Sequence, residues 1–63
     1  MKDIGKNIRQ KRRQIGLYQI QLAERVGCTQ AHISGIENGK GISINLLVKI
    51  ATALNCTPFE LLQ

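Results

Sequence analysis

The sequence has few of the residues that build metal sites, disulfide frameworks or large aromatic cores. Trp is absent, and Tyr18 and Phe59 are the only aromatic residues, so the core must be built mainly from Ile, Leu, Val and Ala. Cys28 and Cys56 form neither a CxxC pair nor a cluster with His32, the single histidine. Because the usual spacings of metal ligands are missing, we expect no metal ion and no other cofactor, and we interpret both cysteines as buried small hydrophobic residues.

Long apolar runs are missing as well. No stretch approaches the roughly 18 apolar residues that a membrane helix needs, and the start of the chain is not followed by the apolar core of a signal peptide. We therefore expect a cytoplasmic chain without a membrane partner. With one histidine, no Cys–His pair at a useful spacing and no glycine-rich phosphate loop, an enzyme is not expected, and no catalytic residue or small-molecule ligand is predicted.

Length and charge bear on the number of domains and on the kind of partner. A chain of 63 residues makes one domain, which we place at residues 1–63. The formal net charge is +5, and six of the nine Lys and Arg residues lie within the first thirteen positions. Such asymmetry suits a polyanionic partner, but a basic helix in solvent is a second explanation, so charge alone does not decide.

Four helix starts share one pattern, in which a capping position is flanked by apolar residues just before it and four residues into the helix. The capping positions are Tyr18, Thr29, Ser43 and Thr57, and the apolar pairs are Leu17 and Leu22, Cys28 and Ile33, Ile42 and Leu47, and Cys56 and Leu61. Residues suited to a left-handed helix end are Gly16, Gly27, Gly39 and Asn55. The sequence thus predicts an all-α chain with helices at about 4–15, 19–26, 30–37, 44–54 and 58–62.

Helix 1 has an apolar stripe that a charge interrupts. Arg12 falls on the stripe formed by Ile4, Ile8 and Ile15, and Glu37 likewise shares the apolar side of helix 3. Because a charge held against a core needs a partner, we predict that Arg12 and Glu37 pair; alternatively both side chains extend into solvent without contact. A separate basic stripe consists of Lys2, Lys6, Arg9 and Arg13.

Helix 4 is apolar over most of its circumference, so we expect it to be the central helix. Its Leu46 and Ala53 lie at the border of a polar stripe, while Phe59 and Leu62 form a second face on helix 5. We expect these residues to be exposed in a monomer and predict a dimer interface at Leu46, Phe59 and Leu62.

Residues 19–38 have the parts of a helix-turn-helix. Ala23 is small where two helices must cross closely, and Gly27 permits the positive φ of the turn. The shared core would be closed by Leu22, Val26, Ile33 and Ile36.

On these residues the chain resembles the Cro and repressor type helix-turn-helix family, also called the XRE family, over essentially its whole length. The matching segments are GLYQIQLAERVGCTQAHISGIENGK, KIATALNCTPFELL and the basic RQKRRQIG. The resemblance implies a compact, lambda-repressor-like five-helix bundle. It further implies a bacterial or phage regulator, most often a repressor, that binds double-stranded operator DNA as a homodimer with helix 3 in the major groove.

Position by position, the resemblance implies roles for individual side chains. The base-facing positions are Gln30, Ala31 and Ser34, with His32 beside them and Gly35 further along. The phosphate-binding positions are Gln19 with Tyr18 at the start of helix 2, Asn38 and Lys40 beyond helix 3, and, if helix 1 faces the DNA, Arg9 and Arg13. Arg12 and Glu37 match the internal ion pair of the family. A solvent-exposed position without DNA contact stays an open alternative for Gln30, His32, Arg9 and Arg13.

Three positions depart from the family pattern. Tyr18 replaces the usual capping Ser, Thr or Asn, Ile42 replaces a frequent Pro, and Gly35 lacks a side chain that often contacts bases. We therefore expect Gln30 to carry most of the direct base recognition. A competing hypothesis is a protein-interaction module that binds through Leu46, Phe59 and Leu62, with the helix-turn-helix as a scaffold.

Overall fold

The computed structural model describes residues 3–63, which form five helices and no strand. The helices are α1 (Ile4–Gln14), α2 (Gln19–Val26), α3 (Gln30–Glu37), α4 (Ile44–Ala53) and α5 (Pro58–Leu61). The all-α prediction and all five helix starts are confirmed. Three predicted ends lie one residue too far, because Ile15, Leu54 and Leu62 are the C-cap residues of their helices. Lys2, from the predicted basic stripe, lies outside the described residues.

Side chains cap four of the five helix starts. The hydroxyls of Thr29, Ser43 and Thr57 accept hydrogen bonds from backbone N–H groups three residues later. Asp3, which the sequence analysis missed, does the same for α1 by accepting from the Lys6 N–H at 3.0 Å. Each such bond satisfies one of the N–H groups that a helix start leaves unpaired.

Tyr18 begins α2 differently, because its side chain makes no capping bond. Instead the Gln21 Oε1 accepts from the Tyr18 backbone N–H at 2.8 Å, which is one half of a capping box. The phenol ring is 74% exposed.

The core is a single cluster of aliphatic side chains from all five helices and the segment before α2. It contains Ile8, Leu17, Leu22, Ala23, Val26, Ile33, Ile36, Leu47, Ile50, Ala51, Leu54 and Leu61. Cys28 and Cys56 pack against this cluster but are only partly buried, so the expectation that they are buried was too strong. Burial still raises the pKa of both thiols.

Helix α2 packs against α3 and α4, α1 packs against α3 and α5, and α5 also contacts α4. The prediction of a central α4 was wrong, because Ile44 and Val48 are 74% and 46% exposed on its outer side. Ile15, the C-cap residue just beyond α1, is also 45% exposed. Helix α4 is therefore an outer helix with an uncovered apolar side.

Gly5 allows α1 to cross closely over the end of α3. A Cβ at this position would lie 2.3 Å from the Ile36 carbonyl oxygen and 2.9 Å from that of Glu37. Both neighbours are backbone atoms, so movement of a side chain could not relieve the clash. A glycine is required here by contact between helices, which fixes the position of α1 on α3.

Within residues 3–63, no helix is both long enough and apolar enough to span a membrane. In the same range, no three His, Cys, Asp or Glu side chains converge in a group that could hold a metal ion.

Candidate nucleic-acid interface

Helices α2 and α3 are joined by a tight turn that presents one side of α3 to solvent. Gly27 ends α2 with φ 78°, in the left-handed region, and the Cys28 N–H donates to the Ala23 carbonyl at 3.0 Å. Thr29 then caps α3. Because glycine adopts this conformation without a Cβ clash, the turn can be short, and only Cys28 and Thr29 lie between Gly27 and α3.

The predicted base-facing residues lie along α3 in two groups. Gln30, Ala31 and His32 are exposed in its first turn, whereas Ser34 and Gly35 are half-buried further along. The opposite side of α3, with Ile33, Ile36 and Glu37, is buried. The helix therefore has a packed side and an open side, and the open side is most accessible at its N-terminal end.

The stem of Lys40 lies next to Gly35. A Cβ on Gly35 would come within 3.1 Å of the Lys40 Cδ, and the Lys40 N–H donates to the Gly35 carbonyl at 3.0 Å. The place of the missing side chain is thus partly taken by Lys40, which the sequence did not indicate. Lys40 itself is exposed, beside the end of α3.

Arg12 and Glu37 form a buried bidentate ion pair. The Arg12 Nε lies 2.7 Å from Glu37 Oε2, and its Nη2 lies 3.0 Å from Oε1. A third donor, Nη1, reaches the Leu17 carbonyl at 2.7 Å. The side chains are 8% and 0% exposed, so both charges are removed from water and satisfied by each other.

Gln19 and Arg9 also donate to Glu37, which the sequence analysis did not foresee. The Gln19 Nε2 lies 3.1 Å and the Arg9 Nε 3.4 Å from Glu37 Oε1. The spacing contained a signal for Arg9, because it precedes Arg12 by three residues and thus lies beside it on α1. Gln19 is placed at the start of α2 with one amide N–H already bound.

These donors determine the ionisation of Glu37. Burial by itself raises its pKa, but the hydrogen bonds from Arg12, Gln19 and Arg9 and the charge of Arg12 together lower the pKa below its ordinary value. Glu37 is therefore a fixed negative charge surrounded by donors that hold α1, α2 and α3 together.

The cations of α1 are divided between this network and solvent. Lys6, Arg9 and Arg13 line a shallow groove along α1 together with Gln10 and Gln14. Arg13 is exposed, whereas the Arg9 side chain is 32% exposed and contacts α3. The solvated-helix interpretation thus fits Arg13 better than Arg9.

The three residues predicted at a dimer interface differ in exposure. Phe59 is 68% and Leu62 is 45% exposed, but Leu46 is partly buried and packs against the core. The expectation that Leu46 and Ala53 are exposed was wrong, because both lie on the side of α4 that faces the core cluster. Ile44 and Val48 are exposed on α4 instead.

Comparison with known proteins gives a matching family and several similar proteins. A family model described as helix-turn-helix matches residues 8–61. The uncharacterized HTH-type transcriptional regulator YozG of Bacillus subtilis is 44% identical over 45 residues, which cover 68% of this chain and 54% of that protein. The chain thus spans about half the length of this relative.

Two solved structures are similar over nearly the whole chain. The restriction-modification controller protein C.AhdI from Aeromonas hydrophila is 36% identical, with a TM-score of 0.89, over 92% of this chain and 86% of that one. SinR, a master regulator for biofilm formation solved in complex with DNA, is 32% identical, with a TM-score of 0.89, over 95% of this chain and 98% of that one.

Proposed function

This chain belongs to the Cro and repressor type helix-turn-helix family, and we therefore propose that residues 1–63 are a domain that binds double-stranded operator DNA and regulates transcription. The observation that carries the proposal is the two-sided α3, with Gln30, Ala31 and His32 exposed and its opposite side buried in the core. Helix α3 follows a tight turn and has an exposed side, so it can enter the major groove of DNA. The proposal concerns binding in the cytoplasm and involves no catalytic step.

The first turn of α3 supplies the base contacts in this proposal. Gln30 can hydrogen-bond N6 and N7 of adenine through both ends of its amide, and Ala31 can contact the methyl group of thymine. Ser34 and His32 contribute further polar contacts. Gly35 offers no side chain, so the C-terminal half of α3 contributes through Ser34, and the side chain of Lys40 lies beside Gly35 after the helix has ended.

Phosphate contacts flank α3 on both sides. Gln19 and Tyr18 lie at the start of α2, where free backbone N–H groups favour an anion. Asn38 and Lys40 follow α3, and both are exposed. Exposed Arg13 of α1 is the remaining phosphate ligand in the proposal, whereas the guanidinium of Arg9 is bound within the protein.

Selection of binding sites from a pool of random DNA duplexes tests the proposal. Enrichment of one sequence motif is the expected result, whereas a pool that stays random would contradict sequence-specific binding. Affinity for the selected duplex should fall with salt, because cations on the protein release counterions from phosphates. For about six neutralised phosphates, log K should fall against log salt with a slope of about −5, and a slope near zero would contradict phosphate binding.

The proposal includes a homodimer on DNA, formed through α5. Phe59 and Leu62 expose large apolar side chains that a second copy can cover. Leu46, the third residue predicted at this interface, is partly buried and packs against the core. A two-fold dimer would place two α3 helices about 34 Å apart, so the selected motif should be an approximate palindrome with half-sites one helical turn apart.

A further inference from the structure

Arg9 makes a set of contacts at the end of α3 that a simple phosphate ligand would not need. Its Nε lies 3.4 Å from Glu37 Oε1, and its Nη2 lies 3.3 Å from the Glu37 carbonyl and 3.1 Å from Asn38 Oδ1. Helix α3 has no basic residue of its own in its last turn. The cation that complements the negative end of the α3 dipole therefore comes from α1.

The contact with Arg9 determines which end of the Asn38 amide is available. An asparagine amide has an acceptor oxygen and a donor nitrogen, and its surroundings decide which way it is turned. Here the oxygen accepts from Arg9, which turns Nδ2 away from α1. The Nδ2 lies 3.5 Å from Ser34 Oγ, at the outer limit of a hydrogen bond, and Asn38 is exposed. Its N–H donors are thus left for a ligand.

We propose that Arg9 is a positioning residue, which holds the Asn38 amide with its N–H donors facing a DNA phosphate. The inference rests on the proposed function. A guanidinium suits this role, because its planar fork reaches Glu37 and Asn38 simultaneously through different nitrogens. A lysine at the same position keeps the charge but presents one ammonium group, which cannot span both partners in the same way.

A double-mutant cycle tests the inference, with the DNA duplex selected by the wild-type protein as the probe. Arg9→Lys and Asn38→Ala should each weaken binding about fivefold, the value of one net hydrogen bond. The double variant should bind no worse than Asn38→Ala alone, because Arg9 acts through Asn38. The matched control is Arg25→Lys, at an exposed position in the last turn of α2 that the proposal assigns no DNA contact, and it should bind like the wild type.

A second measurement separates positioning from stability. In the free protein, the side-chain NH₂ resonances of Asn38 should shift in Arg9→Lys and not in Arg25→Lys, while circular dichroism shows all variants folded. Additive losses in the cycle, or unchanged Asn38 resonances, would overturn the inference and leave the proposed function intact. If the wild-type protein selects no duplex, the proposed function fails and the inference with it.

Discussion

At the residue scale, Glu37 is the side chain on which the polar contacts inside the protein converge. It is 3% exposed and accepts from Arg12, Arg9 and Gln19. A buried ion pair gains little over an apolar pair of the same shape, because desolvation offsets the attraction. Removing one partner alone destabilises the protein, since the remaining charge stays buried without an opposite charge. We therefore expect Glu37 to be more sensitive to substitution than any exposed charge of the chain.

Truncation of either member of the ion pair should destabilise the protein. Arg12→Ala or Glu37→Ala should each lower the free energy of unfolding by about 3 kcal/mol, because the remaining charge loses its partner in a buried site. The double variant should lose less than the sum of the two. Denaturant melts of the four proteins measure the cycle, and strictly additive losses would contradict the coupling.

Acid should weaken the fold through the same carboxyl. Because the pKa of Glu37 is lower in the folded protein than its ordinary value, its stabilising contribution is present above the unfolded pKa and disappears as the pH falls through the folded one. The free energy of unfolding should therefore fall below about pH 4. In Glu37→Gln this part of the pH dependence should be missing.

The matched comparison for this experiment is Glu60→Gln. The Thr57 backbone N–H donates to the Glu60 carboxylate, which, with the Thr57 hydroxyl and nearby Lys11, lowers the pKa of Glu60 as well. Replacing Glu60 leaves the contribution of Glu37 to the pH dependence in place. Chemical melts between about pH 3 and pH 6 measure the profiles. A Glu37→Gln profile parallel to that of the wild type would refute the assignment.

At the element scale, local signals in the sequence predicted the helices well. Thr29, Ser43 and Thr57 cap helices as expected, and Gly27 and Asn55 adopt positive φ. These signals act over three to five residues, so they can be recognised without knowledge of the fold. The ends of helices were less predictable, because the last residue of a helix differs little from its C-cap.

Features that depend on packing between helices were missed or wrong. Gly5 gave no sequence signal, since its role depends on the Ile36 carbonyl, which is distant in the chain. The exposed side of α4 was missed because apolar residues such as Ile44 and Val48 do not reveal whether a neighbour covers them. The contact between Arg9 and Asn38 likewise depends on how α1 crosses α3.

Two glycine substitutions should have different effects on stability. Gly5→Ala should lower the free energy of unfolding by about 1–3 kcal/mol, because the new Cβ would overlap the backbone of α3 and force α1 outward. Gly41→Ala is the matched control, as its Cβ would meet nothing within 4 Å. It should leave stability unchanged or raise it by up to about 1 kcal/mol. Thermal or denaturant melts compare them, and equal effects would contradict the close crossing.

At the scale of the whole molecule, size limits what one copy can contact. The described residues measure 27 × 21 × 19 Å, and α3 has eight residues. One helical turn of DNA is about 34 Å long, so a single chain cannot place α3 in two successive major grooves on the same face of the duplex. Recognition of two half-sites therefore needs two copies, which is why the exposed side chains of α5 matter for the proposed function.

A charge on α5 should disrupt the proposed dimer without harming the fold. Phe59→Asp places a carboxylate where a second copy would bury the ring, which is 68% exposed in one chain. We expect cooperative binding to a palindromic duplex to weaken and binding to a half-site to stay unchanged, with an unaltered helical circular dichroism spectrum. Sedimentation with the full duplex gives the stoichiometry, and one protein per duplex at saturation for the wild type would rule out the dimer.

Base recognition by α3 is tested most directly by comparing the affinity of the wild-type protein for its selected duplex and for a scrambled duplex of the same length and composition. At one salt concentration we expect a preference of about 10³-fold or more for the selected duplex. Gln30→Ala should reduce this preference about tenfold, through loss of the contact with adenine. Gln14→Ala, an exposed glutamine at the end of α1, should keep it. Equal affinities of the wild-type protein for the two duplexes would contradict sequence-specific binding by this domain.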